Sequence, residues 1–289
     1  MSPTTRHDSG FEQALQERFG DGDERYYFAN LTSADVGRLL ADPRPTVLLF
    51  PVGSTEPHGP HSPLATDPLI SIGMCLRAAR RLAHDAEARA LILPTLSFGV
   101  TRFTKAFPGV IHVEEDTLHA MLVDVCRSLV GQGLCHIVLV NNHFEPEHVQ
   151  TLHRAMDTVE AETGGVVGYL DLTRRRRAER LTAEVRGGGS HAGQYETSLM
   201  LADRPELVDR ALLPTLPPTP VNLAAAIAEG CKDFVEMGLP QAYNGTPADA
   251  MAAEGEQSFE TLTDMLVEQV RELLHGTGGR DVSGLYGRV

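Results

Sequence analysis

The chain has 289 residues, 42% hydrophobic and 22% charged, with a formal net charge of -14 and a pI near 5.3. That composition suits a globular protein with chain enough for one large α/β domain or two small ones. The acidic balance argues against a nucleic-acid partner, and no run approaches the ~20 apolar residues of a membrane span. Residues 1–30 are polar and are expected to form an N-terminal arm, with a single domain over 31–289. The start "MSPTTRHDSG" lacks the apolar stretch of a secretory signal, so a cytoplasmic protein is expected. "TSADVGRLLAD" (32–42) has a Thr/Ser start, an acid in the first turn and paired leucines, which predicts a capped helix. "TVLLFPV" (46–52) is a continuous apolar run, as in a strand buried on both faces.

The stretch "STEPHGPHSPLATDP" (54–68) follows. Its four prolines forbid a helix or a central strand, so it is a stiff loop. A helix is predicted over 67–84, with Asp67 as N-cap and Pro68 as the first helical residue. A second strand is predicted over 90–96. A helix over 114–133 has an apolar stripe of Leu118, Met121, Leu122, Val125, Cys126 and Leu129. Strand 136–142, helix 145–162 and strand 164–172 come next, then a helix from about Gln194 to Ala202 and a closing helix over 255–275. "RRRR" at Arg174–Arg177 is read as a solvated face rather than an anion site. Cys75, Cys126, Cys135 and Cys231 have no CxxC spacing and read as reduced core residues. Strands alternating with helices imply a mostly parallel sheet flanked by helices on both faces, an α/β fold.

In such sheets the chemistry gathers beyond the carboxyl ends of the strands. The proline loop leaves the first strand, and "NNHFEPEH" (141–148) leaves the third. Glu56 and His58 are spaced i, i+2, and so are His143 and Glu145, which in extended backbone aims each pair to one side. With Asp67 they make two imidazoles and three carboxylates, a ligand set for Zn, Mn or Fe(II). Five ligands exceed one tetrahedral site, so two metals sharing Asp67 is the sharper reading. The plainer readings are Asp67 as a helix cap, Glu145 as a first-turn acid, and His61 and His148 as surface or supporting residues. In "GGGSHAGQYETS" (187–198), His191 is placed to move a proton and Glu196 to orient it or touch a metal. A flexible loop with a surface histidine fits that spacing equally.

These motifs resemble the creatininase (creatinine amidohydrolase) family. "PVGSTEPHGPHSPLATD" is similar to its "PxGSxEQHGPHLPxxTD" signature, and "FPGVIHVEEDTL", "IVLVNNHFEPE", "HAGQYETSLML" and "GTPADAMAAEGE" to later blocks in the same order, together covering about 35–275. The resemblance implies a three-layer α/β/α fold, two divalent ions (Zn or Mn, with Fe possible), and a homo-oligomer, often a hexamer. It implies Glu56, Asp67 and His143 on one metal and His58, Asp67 and Glu145 on the other. His191 is then the proton carrier and Glu196 its support. Phe144 stands where an aromatic contacts substrate, Thr101 is expected to bind substrate too, and Arg102, Thr104 and Lys105 replace the family's usual residues in "GVTRFTKAFPG". Arg102 and Lys105 would bind an anionic substituent if they reach the pocket.

The expected reaction is hydrolysis of a C–N bond, in a lactam, cyclic amide or formamide of a small molecule, by water activated between two cations. The chain has no Trp, whereas the family's creatinine pocket is lined by Trp, so creatinine is not expected to be the substrate. Rival readings are hydrolysis of a cyclic ketone such as a keto-inositol, a peptidase of a redox-cofactor pathway, and a catalytically silent binding protein.

Overall fold

The structure, a computed structural model, describes residues 10–189 and 191–277. The first nine residues of the expected arm and the last twelve of the expected domain lie outside the described residues. The elements in chain order are α1 (Phe11–Phe19), α2 (Ser33–Ala41), β1 (Thr46–Val52), α3 (Thr66–Leu82), β2 (Arg89–Ile92), α4 (Glu115–Val130) and β3 (His136–Asn141). They continue with α5 (Pro146–Thr163), β4 (Val166–Tyr169), α6 (Arg175–Ala178), α7 (Ala183–Arg186), α8 (Gln194–Asp203), α9 (Leu223–Ala228) and α10 (Ala252–His275).

Local chemistry sets most of these boundaries. Thr32 and Asp35 close a capping box on α2. α5 opens on Pro146 and stops at Gly164, which takes φ 69°. The second and fourth strands are shorter than their apolar runs. Pro94 has no N–H to offer a ladder, and Gly164 belongs to the cap of α5.

All four strands are parallel, in the order β2-β1-β3-β4. Alternation along β1 and β3 divides two cores, which explains their unbroken apolar runs. Val47, Leu49, Val138 and Val140 meet Ile70 and Met74 of α3, Leu199 of α8 and Leu262 and Leu266 of α10. Leu48, Phe50, Ile137 and Leu139 meet Leu118 and Leu122 of α4, Leu152 of α5, and Phe11 and Leu15 of α1. On α4 the stripe differs at one place: Met121 is half exposed and Val123 is buried instead. All four cysteines are free. No helix among the described residues is long and apolar enough to cross a membrane.

The arginine run is only partly a solvated face. Arg175 and Arg176 are exposed, but Arg174 is buried against Asp171 (Nε–Oδ2 2.6 Å), and Arg177 donates to Gln269 of α10. Charge on a short helix beside an acid and an amide is drawn inward by those partners.

Candidate metal centre

β1 and β3 are neighbours, but the chain leaves them in opposite directions, through α3 to β2 on one side and through α5 to β4 on the other. Their departing loops diverge and open a crevice at the carboxyl edge of the sheet. The proline loop brings in Glu56 and His58, the first turn of α3 brings Asp67, and the loop after β3 brings His143 and Glu145. His191 and Glu196 close the crevice from the start of α8. All seven are buried. Asp67 is not the helix cap: Ala65 holds that position and Asp67 is the second residue of α3. Its carboxylate turns instead across the crevice, accepting the Ser54 amide at 3.3 Å.

The histidines show what the crevice is built to hold. His58 Nδ1 lies 3.0 Å from the Glu56 carbonyl, and His143 Nε2 lies 2.7 Å from the Val100 carbonyl. A carbonyl only accepts, so those nitrogens carry the protons. The other nitrogens face carboxylates. His58 Nε2 is 2.8 Å from Asp67 Oδ1 and 3.7 Å from Glu196 Oε2, yet it makes no aligned hydrogen bond. His143 Nδ1 is 2.9 Å from Glu56 Oε1 and 3.1 Å from Asp67 Oδ2. A ring nitrogen this close to carboxylate oxygens needs either a second proton or a bound cation between them. A ring N–H fixed on a backbone carbonyl is the usual way a metal-ligating histidine is oriented. The donor set therefore fits divalent ions, and among the described residues three groups of ligand atoms lie close enough to hold one: Glu56, Asp67 and His143; His58, Asp67 and Glu196; and Glu56, His58 and His191.

Glu145 is drawn elsewhere. Its carboxylate accepts the Arg102 amide at 2.8 and 2.9 Å and the Phe103 amide at 3.2 Å. Thr101 and Thr104 both donate to Glu56 Oε2, which fixes that carboxylate from behind. Neither cationic side chain of this loop lines the pocket: Arg102 pairs with Glu114 and Glu115, and Lys105 lies 3.7 Å from Asp233. His61 and His148 are buried, not at the surface. His61 Nε2 is 2.9 Å from Thr197 Oγ1, tying the proline loop to α8, and His148 sits edge-on to His143 with ring centroids 4.8 Å apart.

The outer wall is apolar. Phe103 and Phe144 line it with Leu223 and Ile227 of α9 and with Phe234. Phe234 packs on His191, ring centroids 4.6 Å apart. Apart from Phe144, none of these residues carries a signal in the sequence, because an apolar residue in a long irregular stretch reads the same whether it fills a core or lines a site.

Residues 29–270 match the model of the family described as Creatininase, creatinine amidohydrolase. The chain belongs to the creatininase family. It is accordingly a metal-dependent hydrolase of amidohydrolase type. It is 32% identical over 229 residues to a mycofactocin precursor peptide peptidase of Mycobacterium tuberculosis, covering 77% of this chain and 84% of that one. It is also 32% identical over 178 residues to the creatinine amidohydrolase of Pseudomonas putida, covering 56% and 66%. A crystal structure of creatinine amidohydrolase superposes with a TM-score of 0.68 at 26% identity, covering 86% of this chain and 98% of that one. A manganese form of creatininase gives 0.67 at 25%.

Electrostatics at this creatininase-family site follow from its burial. Burial alone would push His58 down, but the charges of Asp67, Glu196 and Glu56 carry it up to about 10. His143 is likewise raised by Glu56 and Asp67 against the pull of burial. Burial pushes Glu196 up to about 8, opposed by His58. The metal-free centre therefore holds protons at pH 7 that a metal must displace. Titrating the metal-free protein with Zn at pH 7 is expected to release about two or three protons per chain. Calorimetry in buffers of different ionisation enthalpy measures the number, and apparent affinity should weaken as pH falls. Uptake with no net proton release would mean that the ligand nitrogens are not protonated in the metal-free state.

Proposed function

We propose that this protein hydrolyses an amide C–N bond in a substrate that is uncharged and apolar near the bond, with two divalent ions, Zn or Mn. Glu56, Asp67 and His143 hold one ion, and His58, Asp67 and Glu196 hold the other. The observation that carries this reading is the pair of buried histidine nitrogens turned onto carboxylates, each with its other nitrogen fixed on a backbone carbonyl. Glu196 takes the place that the family motif gives to Glu145, because the Arg102 and Phe103 amides already claim Glu145. Ions bound here would polarise a carbonyl and acidify a water.

His191 supplies the proton traffic. Its Nε2 lies 2.9 Å from the Pro57 carbonyl, so Nδ1 faces the crevice, 3.8 Å from Glu56 Oε1. Burial, with the neighbouring His58 charge, lowers its pKa to about 4. Burial, which no local sequence pattern reports, is what sets it apart from an ordinary imidazole. His191 is therefore neutral at rest. It takes a proton from the attacking water and then delivers it to the leaving nitrogen, giving an acid and an amine.

Among the described residues the pocket carries four carboxylates, Glu56, Asp67, Glu145 and Glu196, and no Lys or Arg. Two divalent ions balance those charges and leave nothing to bind an anionic substituent. The aromatic and branched wall favours an apolar group beside the amide. The broader match to the peptide peptidase than to creatinine amidohydrolase supports a peptide amide over a small lactam. The test is a turnover comparison on the metal-loaded protein. Apolar peptide amides and anilides should reach kcat/KM near ~10⁴ M⁻¹s⁻¹, with creatinine at least about 100-fold lower. Efficient creatinine turnover would overturn the substrate reading, and cleavage of a cyclic ketone with no amide turnover would overturn the reaction class.

A further inference from the structure

We infer that Glu184 is a positioning residue of the centre: its carboxylate sets the start of α8 and so places both His191 and Glu196. The inference rests on the roles given to those two residues above. Glu184 lies on α7, outside the lining of the pocket.

Its two oxygens take three backbone donors from two separate stretches of chain. Oε1 accepts the Gln194 amide at 2.9 Å and the Thr246 amide at 3.1 Å, and Oε2 accepts the Tyr195 amide at 2.8 Å. Gln194 and Tyr195 open α8, where amides have no partner within the helix and the helix dipole favours an anion. Two glycines make room for this carboxylate. A Cβ on Gly193 would fall 2.3 Å from the Asn244 carbonyl oxygen and 2.4 Å from Glu184 Oε1, and one on Gly245, which has φ +108°, would fall 2.0 Å from that carboxylate oxygen. A side chain at either place would drive the carboxylate out.

What this clamp holds is strained. Ala192, between His191 and the clamp, has φ 49°, a left-handed conformation costly for a residue with a Cβ. Its amide donates to Glu196 Oε2 at 2.6 Å, and the His191 carbonyl accepts the Asn244 amide at 2.7 Å. The proton carrier and the proposed ligand are thus two ends of one tight turn. Glu184 pins that turn from below and joins it to the 244–246 segment. A side chain serving only to stabilise α8 would not need to reach Thr246.

Glu184→Gln keeps the shape but turns an NH₂ group onto amide donors. The expected result is a thermal midpoint within a few degrees of wild type, with faster hydrogen exchange over residues 191–196. Affinity for the second metal equivalent and kcat should each fall about 10–100-fold, the range for partners that orient metal ligands. KM should change little, and excess metal should restore part of kcat. Full metal content with unchanged kcat would overturn the inference, as would a loss of thermal stability with normal kcat per loaded chain. If Glu184→Gln does not fold, Gln194→Pro, at the first helical position where α8 itself needs no N–H, removes one clamp donor and sets its ring carbon against Glu184 Oε1. Compared with Gln194→Ala, it should show the same changes, and equal behaviour of the two would also overturn the inference. A wild-type chain binding only one metal would instead overturn the two-metal reading, while the exchange measurement still reads the clamp.

Discussion

Replacing Asp67 by alanine is expected to strip the centre of metal and to lower turnover by more than about 10³-fold, because a bound ion supplies several kcal/mol of transition-state stabilisation and each 1.36 kcal/mol is tenfold. Asp67 offers one oxygen to each histidine, Oδ1 to His58 Nε2 and Oδ2 to His143 Nδ1. It belongs to two of the three candidate ligand groups, so its loss should weaken both ions rather than one. Metal analysis after gel filtration should fall from about two equivalents to less than one. Asp67→Asn, with the same shape and no charge, controls for folding and should lose metal too. A variant that kept two equivalents with unchanged affinity would remove Asp67 from the bridge.

Replacing His191 by asparagine should cost about 10²–10⁴ in kcat, the usual worth of a general acid or base. Metal content should stay at the wild-type level. The loss should be largest for substrates whose leaving amine is a poor leaving group and smaller for activated anilides, which need less help from a proton. This prediction has a definite competitor, because His191 also lies close enough to Glu56 and His58 to share an ion with them. A variant that folds but has lost one metal would make His191 a ligand, and the proton would then have to come through Glu196.

Much of this was legible in the sequence, for identifiable reasons. β1 and β3 announce themselves as apolar runs, and once they are parallel neighbours, the polar residues just beyond Val52 and Asn141 must share one edge. That Glu56, His58, Asp67 and His143 gather there is readable from that; the roles proposed for them rest on the side-chain geometry. The choice between Glu145 and Glu196 does not, because it depends on where the amides of Arg102 and Phe103 fall. Arg102 and Lys105 keep away from the pocket because Glu114, Glu115 and Asp233 offer them nearer partners. No local pattern reports such long-range pairings. The pKa of His191 was illegible for the same reason, since burial is a property of the assembled fold.

The pocket's outer wall has its own small core. Leu223, Phe234, Met237, Leu239 and Ala242 pack with one another, apart from the two cores that sandwich the sheet. That small core is nevertheless stitched to the centre: the Ala242 carbonyl accepts the Gly59 amide of the proline loop at 2.8 Å, the Leu223 amide donates to the Gly188 carbonyl at 3.1 Å, and the Phe234 ring lies on that of His191. Substrate choice and chemistry are thus written on one connected backbone, and an engineer seeking a new substrate should exchange single wall side chains such as Ile227 rather than graft the whole segment.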